Sequence, residues 1–171
     1  INGATGTNTV TLSDAGATTG HANVENFVLA AGTQTFTLGA AGQSVTGDGT
    51  GGSGAITVDT STFTSVTGTF ADGGGDDTVA LTLSANGVDI SGATTTTVDT
   101  VALANNVGAT MTIAQNAKIN GAAGTNTVTL SDAGTASGHA NVESYVLAAG
   151  STAFTLGADG QNVTTNGGND T

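Results

Sequence analysis

The sequence predicts an all-β protein: a parallel β-solenoid, β-roll-like or β-helix-like, built from tandem repeats. Three observations carry this. Short clusters alternate an aliphatic or aromatic residue with Thr, Asp or Ser, the two-residue period of a half-buried strand. Successive clusters advance by roughly nine to ten residues, as from Phe36 to Val45 or from Val79 to Val88 to Val98, an interval too short for a crossover helix. The core-forming residues are sparse, with five Phe and no Trp among 171 residues, which suits a narrow coil taking one or two aliphatics per strand. An antiparallel β-sandwich of repeats is the alternative, since its strands also recur every eight to twelve or so residues. It usually carries more aromatics and some edge Pro, and this chain has no Pro.

The strands are predicted in order at TVTL (9–12), VENFVL (24–29), TFTL (35–38), AITVDT (55–60), TVALTL (78–83), VDI (88–90), TTVDTVAL (96–103) and MTI (111–113). Thr and Val suit the pleated surface, and Gly-, Asn- and Asp-rich turn signals separate the runs. No stretch has a capped helical period; AQNAK (114–118) is too short to stand alone.

The organisation is one long repeat made of short ones. Residues 1–46 align without gaps onto 119–164, and 35 of the 46 pairs are identical. Residues 1–118 therefore form one full unit, and 119–171 begin the next as a near-copy of 1–53. The chain starts at Ile1 and ends inside a recognisable motif, and it reads as a window on a longer polypeptide.

Charge limits the partners. Lys118 is the one basic residue against eleven Asp and two Glu, a formal net charge of −12. Nucleic acid and anionic membranes both need cationic neutralisation and are excluded as partners. Carboxylates are hard oxygen ligands, so the balance favours divalent cations. The absence of Cys excludes disulfides and thiolate metal sites, and no apolar run approaches the ~18 residues of a membrane span.

One turn recurs with a variable polar residue. GATGTNTVTL (3–12) returns as GAAGTNTVTL (121–130); DGGGDDTV (72–79) follows the same template, and NGGNDT (166–171) ends the chain. The stretch at 72–79 resembles the RTX calcium-binding nonapeptide, G-G-x-G-x-D-x-U-x with U aliphatic. Gly73, Gly75, Asp77 and Val79 match it, and Asp72 departs at the first glycine. Gly168, Asn169, Asp170 and Thr171 match as far as they go, whereas Asn8 and Asn126 stand where the family has Asp. The good matches are isolated and cover about a fifth of the chain. Glycines at positive φ turn carbonyls toward a cation, and Ca2+ takes six to eight oxygens, so a neighbouring loop must contribute. The expected metal ligands are Asp72, Asp76, Asp77, Asn169 and Asp170, with calcium where Asp sits and an ion-free amide turn where Asn sits.

The wider texture, including NVENFVL (23–29) and NVESYVL (141–147), resembles large RTX-type surface proteins and Gram-negative S-layer or adhesin repeats. The resemblance implies secretion by a type I route to the bacterial cell surface, calcium-dependent folding outside the cell, and structural or adhesive work.

The remaining constellations are read plainly. His21 and Glu25 in GHANVE, repeated as His139 and Glu143, lie near Ser13-Asp14 and Ser131-Asp132, but nothing marks a nucleophile elbow or an oxyanion loop. His caps a loop, and Glu25 accepts backbone N–H groups at a strand entry or shares a calcium with Asp14. Phe27 and Tyr145 occupy one repeat position and fill the core. The Thr-x-Thr runs form the solvent face of strands, or an ice- or glycan-binding surface. With one Lys, no Arg and one Tyr, the chain lacks the groove chemistry of a polysaccharide lyase, and no enzyme is expected. The expected function is a structural repeat segment with calcium-stabilised turns, forming a filament, adhesin stalk or S-layer lattice. Its expected partners are other copies of itself and cell-surface polysaccharide.

Overall fold

The computed structural model describes residues 5–50, 54–75, 77–120 and 123–171. It is a parallel β-solenoid whose strands stack rung on rung in separate columns. β1 (Thr9–Thr11) begins the first column and β2 (Gly16–Thr19) the second. β3 (Asn26–Val28) and β4 (Gln34–Thr37) repeat this, as do β5 (Ser44–Thr46) and β6 (Ala55–Asp59), and β7 (Phe70–Ala71) and β8 (Thr78–Leu83). β9 (Val88–Asp89) begins a third column, and β10 (Thr100–Leu103) continues the second. β11 (Gly108–Met111) then leads through a four-residue helix, α1 (Ile113–Asn116), to β12 (Ile119–Asn120). β13 (Thr127–Leu130), β14 (Thr135–Ser137), β15 (Ser144–Val146), β16 (Ala153–Thr155) and β17 (Asn162–Thr164) complete the coil.

Every pairing between these strands is parallel. The antiparallel sandwich is thereby replaced by the coil. The second column is one sheet, β12-β10-β8-β6-β4-β2, and the first is β1-β3-β5-β7. The third, β9-β11-β13-β15-β17, is a separate sheet: Asp89 of β9 bridges Ser65, ahead of β7, while Thr69 beside β7 bridges Thr94, beyond β9. The pair β14-β16 lies beyond α1, whose Asn116 Nδ2 donates to the Ser137 carbonyl at 2.9 Å. Rungs differ in length: Thr9 faces Asn26, 17 residues on, while Val45 faces Phe70, 25 residues on. The longer rungs carry their extra residues in turns, leaving the strand register intact.

Alternation in the sequence becomes inside and outside in the coil. In β8 the pattern buries Val79, Leu81 and Leu83 and turns Thr78, Ala80 and Thr82 outward. Like side chains stack rung on rung, so Val58, Leu81 and Val101 form one column. Facing strands of a rung touch through tilted aromatic pairs: Phe27–Phe36 and Tyr145–Phe154 each have ring centroids 4.7 Å apart. Phe27 and Tyr145 are 3 % and 0 % exposed, so both fill the core. The Tyr145 hydroxyl accepts the His139 N–H at 2.9 Å, and burial pushes its pKa up to about 12.

Three local expectations shift. β11 begins at Gly108, and Ile113 of the predicted MTI strand instead opens α1, where Thr112 caps the helix and Gln115 closes a capping box. Thr96–Val98 of the predicted TTVDTVAL strand lie in a turn closed by the Val98 N–H on the Thr95 carbonyl at 3.2 Å. β2, made of GATT, was not expected as a strand because it presents no large aliphatic residue.

Leu81 lies in the middle of the six-stranded sheet and is 0 % exposed. Leu81→Ala is expected to lower the unfolding free energy by about 2–5 kcal/mol, read from the urea midpoint.

Candidate functional site

Corners are where this coil carries its chemistry. Among strand residues only Asp59 and Asp89 are charged, so the broad outer faces are Thr, Ala, Ser, Val and Asn, and the other carboxylates of the described residues gather at turns and loops. At a corner the backbone leaves β geometry, and its N–H groups lose their ladder partners. This chain supplies side-chain acceptors for them.

Among the described residues one arrangement recurs five times, in four of them just before a strand. A polar residue accepts the backbone N–H of the residue beneath it, and the next residue donates its own N–H to that same residue's carbonyl. Glu25 Oε2 takes the Asn8 N–H at 2.7 Å while the Asn26 N–H reaches the Asn8 carbonyl at 3.1 Å. Asp77 Oδ1 and the Thr78 N–H hold Gly54 in the same way, at 2.8 and 2.9 Å. Asn126 Oδ1 and Thr127 hold Val107; Glu143 Oε2 and Ser144 hold Asn126; Asp170 Oδ1 and Thr171 hold Thr152. A close relative joins Asp99 to Val79, with Asp99 giving both the carboxylate and the N–H. Asp, Asn and Glu therefore share one hydrogen-bonding role at the clamp, since a carboxylate and an amide oxygen both accept the N–H.

The opposite need, a donor for stranded carbonyls, is met by Gln and Lys. The turn from His21 to Val24 points two carbonyls along the coil, and Gln43 Nε2 from the next rung donates to both, at 2.7 and 2.8 Å. Gln161 repeats this at His139 and Val142, both at 2.7 Å. Gln115 does so for Ile90 and Ala93. Lys118 Nζ gathers the Thr95, Thr96 and Val98 carbonyls at 2.7, 2.8 and 2.6 Å. The sole cationic side chain of the protein is thus a turn cap. The spacing of these glutamines, always at the end of a Gly-x-x-x turn or a capping box, was the signal that sequence reading passed over.

Close packing of turns on turns explains the glycines. Gly73 has φ +79° and lies so near the rung below that a Cβ there would sit 2.2 Å from the Gly47 carbonyl oxygen. Gly39 is as crowded, with the Gly20 oxygen 1.9 Å from its would-be Cβ.

The predicted metal ligands separate into different surroundings. Asp77 and Asp170 are clamp residues, and Asp170 keeps a second, buried oxygen without a hydrogen-bond partner. Asp72 Oδ1 accepts the Gly74 N–H at 3.1 Å in its own turn. Glu25 is a clamp residue, and Asp14 Oδ2 accepts the Ser13 hydroxyl at 2.9 Å. Asn169 is exposed in the last turn, and Asp76 lies outside the described residues. Among the described residues no three His, Asp or Glu side chains gather to form a metal cluster. Glu25 behaves as the loop reading expected, an acceptor of backbone N–H at a strand entry. The outward Thr column of the sheet β9-β11-β13-β15-β17 is interrupted, reading Thr110, Thr129, Val146, Thr164.

Two outcomes test the clamp. Asp77→Asn keeps an oxygen for Gly54 and is expected to leave stability near wild type, whereas Asp77→Ala strands that N–H and costs about 1–3 kcal/mol, both read by urea denaturation in EGTA. The Asn8 N–H holds the Glu25 carboxyl below its usual value of 4.5. A depressed folded pKa gives stability that is present above the ordinary carboxylate range and lost as pH falls through the folded value. Acid unfolding of Glu25→Gln is therefore expected to show a shallower loss of stability below about pH 4.5 than wild type.

No protein-family model, curated protein or solved structure matches this chain, so the stacked corners and the coil they hold together are what speak to its function.

Proposed function

We propose that this chain is a structural repeat segment of a secreted bacterial surface protein, working as part of a filament, adhesin stalk or S-layer lattice. The observation that supports it most is that the second copy continues the same coil. β13, the counterpart of β1 at the 118-residue offset, stacks in parallel between β11 and β15. The two copies also reproduce each other's contacts: Glu25 on Asn8 and Glu143 on Asn126, Gln43 on the His21 turn and Gln161 on the His139 turn. A unit of this kind lengthens a coil by adding rungs to it, which is what a spacer or lattice element requires.

Calcium belongs to this proposal as a bound stabiliser. A clamp carboxylate uses one oxygen for a backbone N–H, and its second oxygen is left for a cation. The turn from Asp72 to Asp77 also has three successive glycines in the left-handed region, Gly73, Gly74 and Gly75. Neutralising the corners would relieve repulsion along the edges of an anionic coil, and an ion bound only by the folded chain would stabilise it by mass action.

Appending one more 118-residue unit is expected to lengthen the coil by roughly 27 Å, close to six rungs at the ~4.7 Å strand spacing, in small-angle X-ray scattering. An unchanged longest dimension would refute the scaffold reading. For the ion, calcium is expected to raise the melting temperature of wild type and to do so less for Asp77→Asn, which keeps the clamp and lacks the charge. Equal melting curves in calcium and EGTA would remove calcium from the proposal.

A further inference from the structure

We infer that the turn from Thr95 to Val98 is a cation site built of backbone carbonyls, with the chemistry to take a primary ammonium ion, and that the chain fills it with its own Lys118. Lys118 Nζ lies 2.7, 2.8 and 2.6 Å from the Thr95, Thr96 and Val98 carbonyl oxygens. Carbonyls aimed at one point in this way replace part of a cation's hydration shell. An ammonium group fits them donor for acceptor, since it carries three N–H groups and accepts nothing.

The coil supplies its own controls. The turns His21–Val24, Ile90–Ala93 and His139–Val142 are closed as Thr95–Val98 is, by the N–H of the fourth residue on the carbonyl of the first. In each of those three, the first and fourth carbonyls are met by one glutamine from the next rung: Gln43, Gln115 and Gln161. The two N–H groups of a neutral amide suffice there. Thr95–Val98 turns in a third carbonyl, that of Thr96. At this turn, too, the donor is the one basic residue of a chain with a formal net charge of −12. The extra acceptor and the positive charge coincide.

The short helix α1 accounts for the delivery. Gln115 and Lys118 are three residues apart, and the Lys118 N–H on the Gln115 carbonyl at 3.0 Å continues the helical turn. Their side chains therefore leave on one side and reach the consecutive turns Ile90–Ala93 and Thr95–Val98. Lys118 is half-buried, and a cavity of about 360 Å3 lined by Thr95, Thr96, Gln115 and Lys118 opens beside the turn. A dissolved ion can reach the carbonyls through it once the tether is cut. With the tether in place, this corner sets without any dissolved cation.

Lys118→Ala removes the side chain beyond Cβ, a piece that n-propylammonium replaces atom for atom. Melting is followed by circular dichroism in EGTA, so that calcium at the Asp corners plays no part. Lys118→Ala is expected to melt below wild type, and n-propylammonium chloride to recover most of the loss along a saturating curve. Tetramethylammonium chloride at the same concentration carries the same charge with no N–H and is expected to recover none of it. Wild type is expected to respond alike to the two salts. Lys118→Gln supplies two N–H groups and no charge, as the other turns have, and is expected to fold and to melt below wild type. Lys118→Gln that melts with wild type would make Lys118 one more neutral-type cap and overturn the inference. A Lys118→Ala variant with no loss to recover, equal recovery in the two salts, or no recovery in n-propylammonium would overturn it as well. The scaffold reading is judged by the length of the coil and stands or falls separately.

Discussion

The structure depends on one constraint: a parallel coil must satisfy backbone hydrogen bonds at its corners as well as in its strands. In the strands the ladder does this without regard to side chains. At the corners the chain turns, N–H and C=O groups fall out of line, and the interior offers no water. The clamps answer the stranded N–H groups and the Gln and Lys caps answer the stranded carbonyls. Because each clamp spans two rungs, it also fixes register. A slip of one residue would separate Asp77 from Gly54 and would turn Val79, Leu81 and Leu83 outward at the same time.

This explains why a chain with so little core can hold a fold. A rung contributes one or two large apolar residues to each face, and the aromatic pairs occur only where the repeat places Phe27 or Tyr145 opposite Phe36 or Phe154. The remaining specificity is polar and local to the corners. Substituting Phe by Tyr between the copies illustrates how the two kinds of contact cooperate. The ring keeps its place in the core, and the added hydroxyl reaches out to the His139 N–H, so the larger residue is accommodated without an unpaired buried oxygen.

The coil itself was legible in the sequence, since Thr78 to Leu83 writes inside and outside in plain alternation and the advance of nine to ten residues is half a rung. Small-residue strands were not legible: the Ala and Thr of β2 form a strand because β4 lies beside it, which is tertiary context overriding weak local preference. The site was half legible. Sequence singled out Asp77, Asp170 and Glu25, which sit at corner clamps, because Gly-x-Asp before an aliphatic is a turn signal with a mechanism. The hydrogen-bonding role that the Asp and Asn forms share was not legible, since the partner of each is 17 to 23 residues away and lies in another rung. Gln43, Gln115 and Gln161 went unread for the same reason, as their partners are 19 to 25 residues back.

The placement of charge bears on assembly. Carboxylates confined mainly to the corners form anionic edges, while the outward strand faces stay nearly neutral. Two kinds of surface then behave differently: edges repel one another unless cations intervene, and faces are indifferent to salt. Edge-to-edge repulsion would keep such coils apart laterally, whereas a further repeat in the same chain stacks rung on rung without bringing the corners of other coils together. The same charge pattern that resists bundling therefore permits a long coil, and it does so because the acidic groups that the corners need as hydrogen-bond acceptors are held at the margins of the coil.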